Sequence, residues 1–271
     1  MRISFPYPFV APRLADGLRR TRAYAAMTGD ETQRGRCTFY EALNERIKNE
    51  RKVISMTIQD VVEGFRDVAT ASVADAVDKI AGKRGYMSHD IKPRINEKKV
   101  VGPAVTVLEG PTTESLPPRH ALDLIDEAAA GSVFVIGING EHDVAVWGGL
   151  MTAGAVANGH AGAVLDGGVR DLTEIRRDYD FPVYARSVSP GTTIGRFKTL
   201  AANVPVICGG IEVSPGDIIV ADIDGVVVVP RAQAEQVLKM AQEIDARELE
   251  QARLIMECKS LRQGLAKYGR I

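Results

Sequence analysis

Between residues 100 and 185 the chain alternates short apolar runs with stretches of helical period, and glycine punctuates the joins. Residues 100–108 (VVGPAVTVL), 132–136 (SVFVI) and 163–165 (AVL) read as strands. Residues 120–130 and the small-residue stretch from Trp147 to Ala157 read as helices. Strand–helix–strand alternation needs crossover connections, so it predicts an α/β domain. Beyond residue 185 short strands dominate, at 204–208, 211–213 and 217–221. The run GVVVVP at 225–230 has the pattern of a strand buried on both faces. A mixed sheet, or two packed sheets, is expected.

The flanks read as helices. Thr57 can cap a helix whose Ile58, Val61, Val62 and Phe65 share one face. Ser72 is expected to cap a second helix running through Ile80 and closing near Gly82. Residues 232–267 read as helical and highly charged. Residues 1–55 differ from the rest, with eleven Lys or Arg against six Asp or Glu, a local charge of +5 against −6 for the remainder. The first 29 residues hold five arginines and one acid, Asp16, a composition found both in organelle transit segments and in basic extensions outside a fold. The expected organisation is a weakly ordered extension at 1–55, a catalytic domain at 56–232 and a helical extension at 233–271.

Composition narrows the function. A net charge of −1 and a pI near 6.5 give no overall pull toward nucleic acid or membrane. No apolar run approaches the roughly 18 residues that a membrane span needs. Cys37, Cys208 and Cys258 form neither a disulfide nor a metal-ligand pattern, which suits a reducing compartment, and the cytoplasm is expected. Gly137-Ile138-Asn139-Gly140 is not a GxGxxG loop, so a dinucleotide site has no support.

The chemistry concentrates at residues 161–171, AGAVLDGGVRD. An apolar strand is expected to end at Asp166-Gly167-Gly168 in a turn and then present Arg170 beside Asp171. Arg offers a planar fork for a carboxylate, and glycine lets backbone approach a small anion closely. The competing local reading is a turn with a surface ion pair. Of the remaining polar candidates, Asp166 reads as a turn-fixing residue, and Asp222 and Asp224 as shaping the turn before the last strand. His89, His120 and His160 lack spaced partners and read as loop, helix-end or packing residues.

In order along the chain, TASVADAVDKI, VVGPAVTV, WGGLM, GAVLDGGVRD, FPVYARSVSP and VSPGDIIVADIDGVVVVP resemble the RraA-like family, which includes 4-hydroxy-4-methyl-2-oxoglutarate aldolases. The resemblance covers residues 57–232. It implies a layered ββα sandwich, here with a long C-terminal helix, assembled as a homotrimer or dimer of trimers. It implies a lyase acting on a small 2-oxo acid with Mg²⁺ or Mn²⁺, by retro-aldol cleavage to pyruvate or by oxaloacetate decarboxylation. Carried over, Arg170 would bind the pyruvate carboxylate and steady the enolate, and Asp171 would bind the metal. The backbone at Gly149, Leu150 and Met151 would hold the substrate carboxylate. The family's aldolases carry an aspartate 21 positions before the arginine; that position here is Gly149. Asp143, nearest the WGGLM turn, is the expected substitute, ahead of Glu114 and Glu141. The alternative reading is a non-catalytic family member that binds and regulates a protein partner.

Overall fold

Thr57 opens the first helix of the computed structural model, which describes residues 56–269. The expectations for residues 1–55, Cys37 included, lie outside the described residues. Thr57 and Asp60 form a reciprocal capping box at the start of α1 (Ile58–Arg66), which buries Val61, Val62 and Phe65. Helix α2 (Thr70–Ala81) starts two residues before the expected cap. Ser72 lies within its first turn, buried, and Ala69 is the N-cap; Gly82 closes the helix in the left-handed conformation, as expected.

The strands are β1 (Lys92–Pro93), β2 (Val100–Pro111), β3 (Val133–Gly137), β4 (Ala145–Trp147), β5 (Gly162–Val169), β6 (Val183–Val188), β7 (Phe197–Ala202), β8 (Val206–Cys208), β9 (Ile211–Val213), β10 (Ile218–Asp222) and β11 (Gly225–Val229). Between them lie α3 (Arg119–Glu127), α4 (Gly149–Ala157) and α5 (Leu172–Glu174). Helix α5 widens into a π-turn at Ile175–Tyr179. The main sheet runs β1-β6-β5-β3-β2-β10-β11, with β4 added on β5 and β7 on β2. Its centre, β2-β3-β5-β6, is parallel, and the outer pairs are antiparallel. At the β11 edge, Tyr86 bridges to Val227, and the same segment runs on into β1 beside β6. The mixed sheet is therefore nearly closed, and β8–β9 form a separate hairpin.

Alternation along the strands sorts three cores. Val133, Val135, Val164, Tyr184, Ile219 and Val228 point to the inner face with Cys208 and Val213. Phe134, Ile136, Leu165 and Val183 point outward under α3 and α4. Val220, Val227 and Val229 point outward under α1, α2 and the long α6 (Ala234–Cys258). Such two-sided burial explains the unbroken apolar runs at 133–136 and 225–229. Helix α6 turns at Lys259 into α7 (Leu261–Tyr268). The layered α/β architecture and the C-terminal helix are as expected. Among the described residues no helix is long and apolar enough to cross a membrane.

The structure corrects one central expectation. Asp166-Gly167-Gly168 is no turn: β5 continues through it, buried, to Val169. Strand β7 also went unread, because FKTLAA is half-exposed along its length and has no apolar period.

Candidate active site

The parallel strands deliver their C-terminal ends to one place, where open α/β sheets commonly bind ligands. Strand β4 pairs with the end of β5, Trp147 opposite Val169, and the Arg170 amide donates to the Trp147 carbonyl at 3.0 Å. The Trp147 indole donates to Thr152 Oγ1 at 2.8 Å, and that hydroxyl donates to the Gly148 carbonyl at 2.9 Å. Trp147 is itself packed between Phe134 and Phe181. The turn from β4 into α4 is thus fixed from inside the core.

Asp171 stands against this turn in the left-handed conformation, φ 60°. Asp tolerates that region better than most residues, and a non-glycine residue held there marks stored backbone strain. Its Oδ2 accepts from the Gly149 amide at 3.0 Å and lies 3.5 Å from Arg170 Nε. A Cβ on Gly148 would come within 2.7 Å of the same oxygen, so the approach requires glycine there. The amides of Leu150 and Met151, in the first turn of α4, have no backbone partner among the described residues, and Leu150 is 87% exposed. Arg170, Asp171, Leu172, Val188, Ser189 and Pro190 line a cleft of about 290 Å³ beside the pair. Arg170 and Asp171 of the expected site are therefore together, with Gly149, Leu150 and Met151 at the same turn.

Gly149 has a neighbour that the sequence reading missed. A Cβ built on it would lie 3.0–3.1 Å from the carboxylate atoms of Glu174. Where an aspartate at 149 would extend its side chain, the Glu174 carboxylate already stands. The available signal was Glu174's place one helical turn beyond Asp171, on the same side of α5. Asp143 is placed differently. Its carbonyl accepts from Ser189 Oγ at 2.5 Å and its amide donates to Glu141 Oε1 at 2.9 Å, which ties the loop to the end of β6. Its carboxylate makes no ion pair with Arg170 among the described residues. Glu114 pairs with Lys198 at 2.9 Å.

The other polar candidates are structural. Asp166 accepts from Gly140 N at 2.6 Å, Gly209 N at 2.9 Å and Arg186 Nη2 at 2.5 Å, and Arg186 also pairs with Asp90. His160 bonds the Ile125 carbonyl and His120 bonds Thr199. Asp222 accepts from the Asp224 amide and from Thr70, as suits a turn-shaping residue. Burial pushes the Cys208 thiol well above its usual range, with Asp166 adding to the effect, so it is no nucleophile. A larger cleft of about 510 Å³, bordered by Thr70, Arg84, Tyr86 and His89, lies on the α2–β11 side. It joins no charge pair to a helix start, and chemistry rather than volume marks the smaller one.

A family model described as RraA-like, Aldolase/RraA, matches residues 70–228. The chain belongs to the RraA-like family. A Halalkalibacterium halodurans relative named "Putative 4-hydroxy-4-methyl-2-oxoglutarate aldolase" is 36% identical over 190 residues, 69% of this chain and 84% of that protein. Among solved structures, an uncharacterized protein from Pseudomonas syringae pv. tomato superposes with a TM-score of 0.68 at 32% identity, covering 76% of this chain and 96% of that one. RraAS2 of Streptomyces coelicolor, described as an unusual member of the RNase ES inhibitor RraA protein family, superposes with a TM-score of 0.65 at 28% identity, covering 72% and 96%.

Proposed function

We propose that this RraA-like chain is a divalent-metal-dependent carbon–carbon lyase acting on a 2-oxo acid. The observation that carries the reading is the convergence of Arg170, Asp171 and Glu174 on the Gly148–Gly149 turn, beside an open cleft. The aldolase name of the Halalkalibacterium relative supports a lyase.

Among the described residues no group of three or more His, Cys, Asp or Glu side chains could hold a metal ion. Mg²⁺ and Mn²⁺ do not need one, since one or two carboxylates, substrate oxygens and water suffice, and hard oxygen donors are what this turn offers. Asp171 would hold the ion, with Glu174 facing it across Gly149. When bound, such an ion supplies Lewis-acid stabilisation of the negative charge that develops on the 2-oxo acid. Arg170 takes the substrate carboxylate through its planar fork and adds a second positive partner for the enolate. The Leu150 and Met151 amides, at the positive end of α4, complete the carboxylate seat.

In retro-aldol cleavage Glu174 accepts the proton of the C4 hydroxyl and the C3–C4 bond breaks. The leaving fragment departs as a carbonyl compound, and the enolate takes a proton at C3 to give pyruvate. In oxaloacetate decarboxylation the same bond breaks with loss of CO₂, and no hydroxyl proton has to be removed. Glu174 takes the role expected of Asp143. The reading includes assembly as a homotrimer or dimer of trimers, which light scattering measures directly. Purified protein with Mg²⁺ or Mn²⁺ is expected to release pyruvate from oxaloacetate or a 4-hydroxy-2-oxo acid; absence of pyruvate from all of these sinks the lyase. The second reading, a binder of a protein partner, is favoured by the likeness to Streptomyces coelicolor RraAS2, whose family is named for inhibition of RNase ES, and it predicts that null result.

A further inference from the structure

Strand β7 is the far end of a strap that begins at the active-site cleft. Ser189 and Pro190 line the cleft, and the Ser189 hydroxyl donates to the Asp143 carbonyl at 2.5 Å. From there the chain crosses β4, where the Gly191 carbonyl accepts from the Ala145 amide at 2.7 Å and Thr192 bridges to Ala145. At Phe197 the strap becomes β7, which among the described residues pairs only with β2. One segment thus borders the cleft and braces the strand that leads into the Gly148–Gly149 turn.

The seat of β7 holds an acid without a partner. Glu109 of β2 stands opposite Thr199 on the face that α3 covers, beside a bulge that puts Leu200 out of register. Its side chain is buried, and neither carboxylate oxygen has a hydrogen-bond partner. Thr199 is taken by His120 of α3, through the ring Nδ1 at 2.9 Å and the amide at 3.3 Å. The other ionisable residues of α3, Arg119, Asp123, Asp126 and Glu127, are exposed. Lys198 pairs with Glu114 at 2.9 Å, and β3, β4 and α4 carry no ionisable side chain. Both Glu109 oxygens are closed off within a single chain, so a neighbouring subunit can bring them no counter-charge.

From this we infer that Glu109 is a proton-controlled latch: neutral, it lets β7 seat and hold the strap 189–197 against the cleft, and its ionisation favours release of β7. An ionised carboxylate in that place would be a buried charge with nothing to balance it, whereas release of an edge strand returns it to water. Burial raises the pKa of the seated form to about 7, against an ordinary 4.5. The released form therefore gains on the seated one as pH rises from 4.5 to 7, and the gain levels off above that. The bulge and the half-exposed length of β7 make this strand the part that opens ahead of the core. The latch acts on the shape of the cleft, and it does not rest on the lyase reading.

Hydrogen exchange of the full chain from pH 5 to pH 8, corrected for the intrinsic rate at each pH, tests it. Amides of β7 should exchange faster than those of β5. Their protection should fall at least about tenfold between pH 5 and pH 7 and then level off. Residues 189–196 should follow with the same pH dependence, and Glu109→Gln, uncharged at every pH, should remove the fall. If β7 exchanges as slowly as β5 at every pH, it opens only with the whole molecule, and the latch is overturned. Protection of β7 that does not change with pH overturns it too, as does a fall that Glu109→Gln leaves intact. Exchange of residues 189–196 that ignores pH while β7 responds overturns the link to the cleft. The comparison of β7 with β5 needs no variant, so it decides the matter even where Glu109→Gln does not fold.

Discussion

Two arginine–aspartate pairs stand on or beside β5, and they do opposite work. Arg186 and Asp166 are 12% and 3% exposed in their side chains, and Asp166 accepts two backbone amides besides the guanidinium. Arg170 and Asp171 are 42% and 37% exposed, 3.5 Å apart, and Asp171 is held by one amide of the turn. An exposed pair of that kind adds about 0–1 kcal/mol to stability, while removing one partner of a buried pair costs about 3–5 kcal/mol. The buried pair is taken up by the scaffold, through Asp90, the Asp166 carbonyl and the amides of Gly140 and Gly209. The exposed pair keeps most of its capacity, and its aspartate is held in a strained conformation that stability does not require. Spare valence, rather than the mere presence of the two residue types, distinguishes the site from the scaffold.

The comparison breaks first at Asp166. Asp166→Ala should lower unfolding free energy by about 3–5 kcal/mol, because it strands Arg186 and the amides of Gly140 and Gly209; chemical denaturation measures it. A loss under about 1 kcal/mol would remove the contrast between the pairs.

Next comes a buried acid that has no arginine at all. Glu109, on β2 opposite Thr199 of β7, is 2% exposed with neither carboxylate oxygen hydrogen-bonded, and burial raises its pKa to about 7. The folded state keeps this proton after the unfolded chain, near the ordinary 4.5, has released it. Stability from this group is therefore full below pH 4.5 and is lost as pH rises toward 7, by up to about 3 kcal/mol. Glu109→Gln should flatten that part of the pH–stability curve, and an unchanged curve contradicts the assignment.

The smallest effect separates the two carboxylates of the site. Glu174→Gln keeps the space against Gly149 filled and removes the base. Retro-aldol cleavage should fall about 100-fold, some 2.7 kcal/mol. Oxaloacetate decarboxylation should fall much less, and equal losses in the two reactions would make Glu174 a metal or packing residue instead. Asp143→Asn should leave both rates near wild type.

Much of this was legible in the chain. Apolar runs, the Thr57 cap and the Gly82 stop are local signals, and local physics decides them. The Arg170-Asp171 dipeptide could be read from its neighbours in order. What failed depended on distant contacts. Gly167 and Gly168 suggested a turn, yet they serve close packing inside a strand. A Cβ on Gly167 would meet Ile138 at 3.0 Å, and one on Gly168 would meet Ser187 Oγ and the Val144 carbonyl at 3.0 Å. Glu174 was passed over for the same reason. Its contact with Gly149 spans the β4–α4 turn and α5, and no window of sequence contains both sides of it.

The central claim is that Asp171, and not the buried Asp166, carries the chemistry. Asp171→Asn is the direct measurement, because Asn tolerates the left-handed backbone and still accepts the Gly149 amide while lacking the charge. With Mg²⁺ and oxaloacetate, the wild type should release pyruvate and the variant should lose at least about 1,000-fold, about 4 kcal/mol of barrier, with unfolding free energy within about 1 kcal/mol of wild type. Pyruvate release by Asp171→Asn at the wild-type rate would contradict the account.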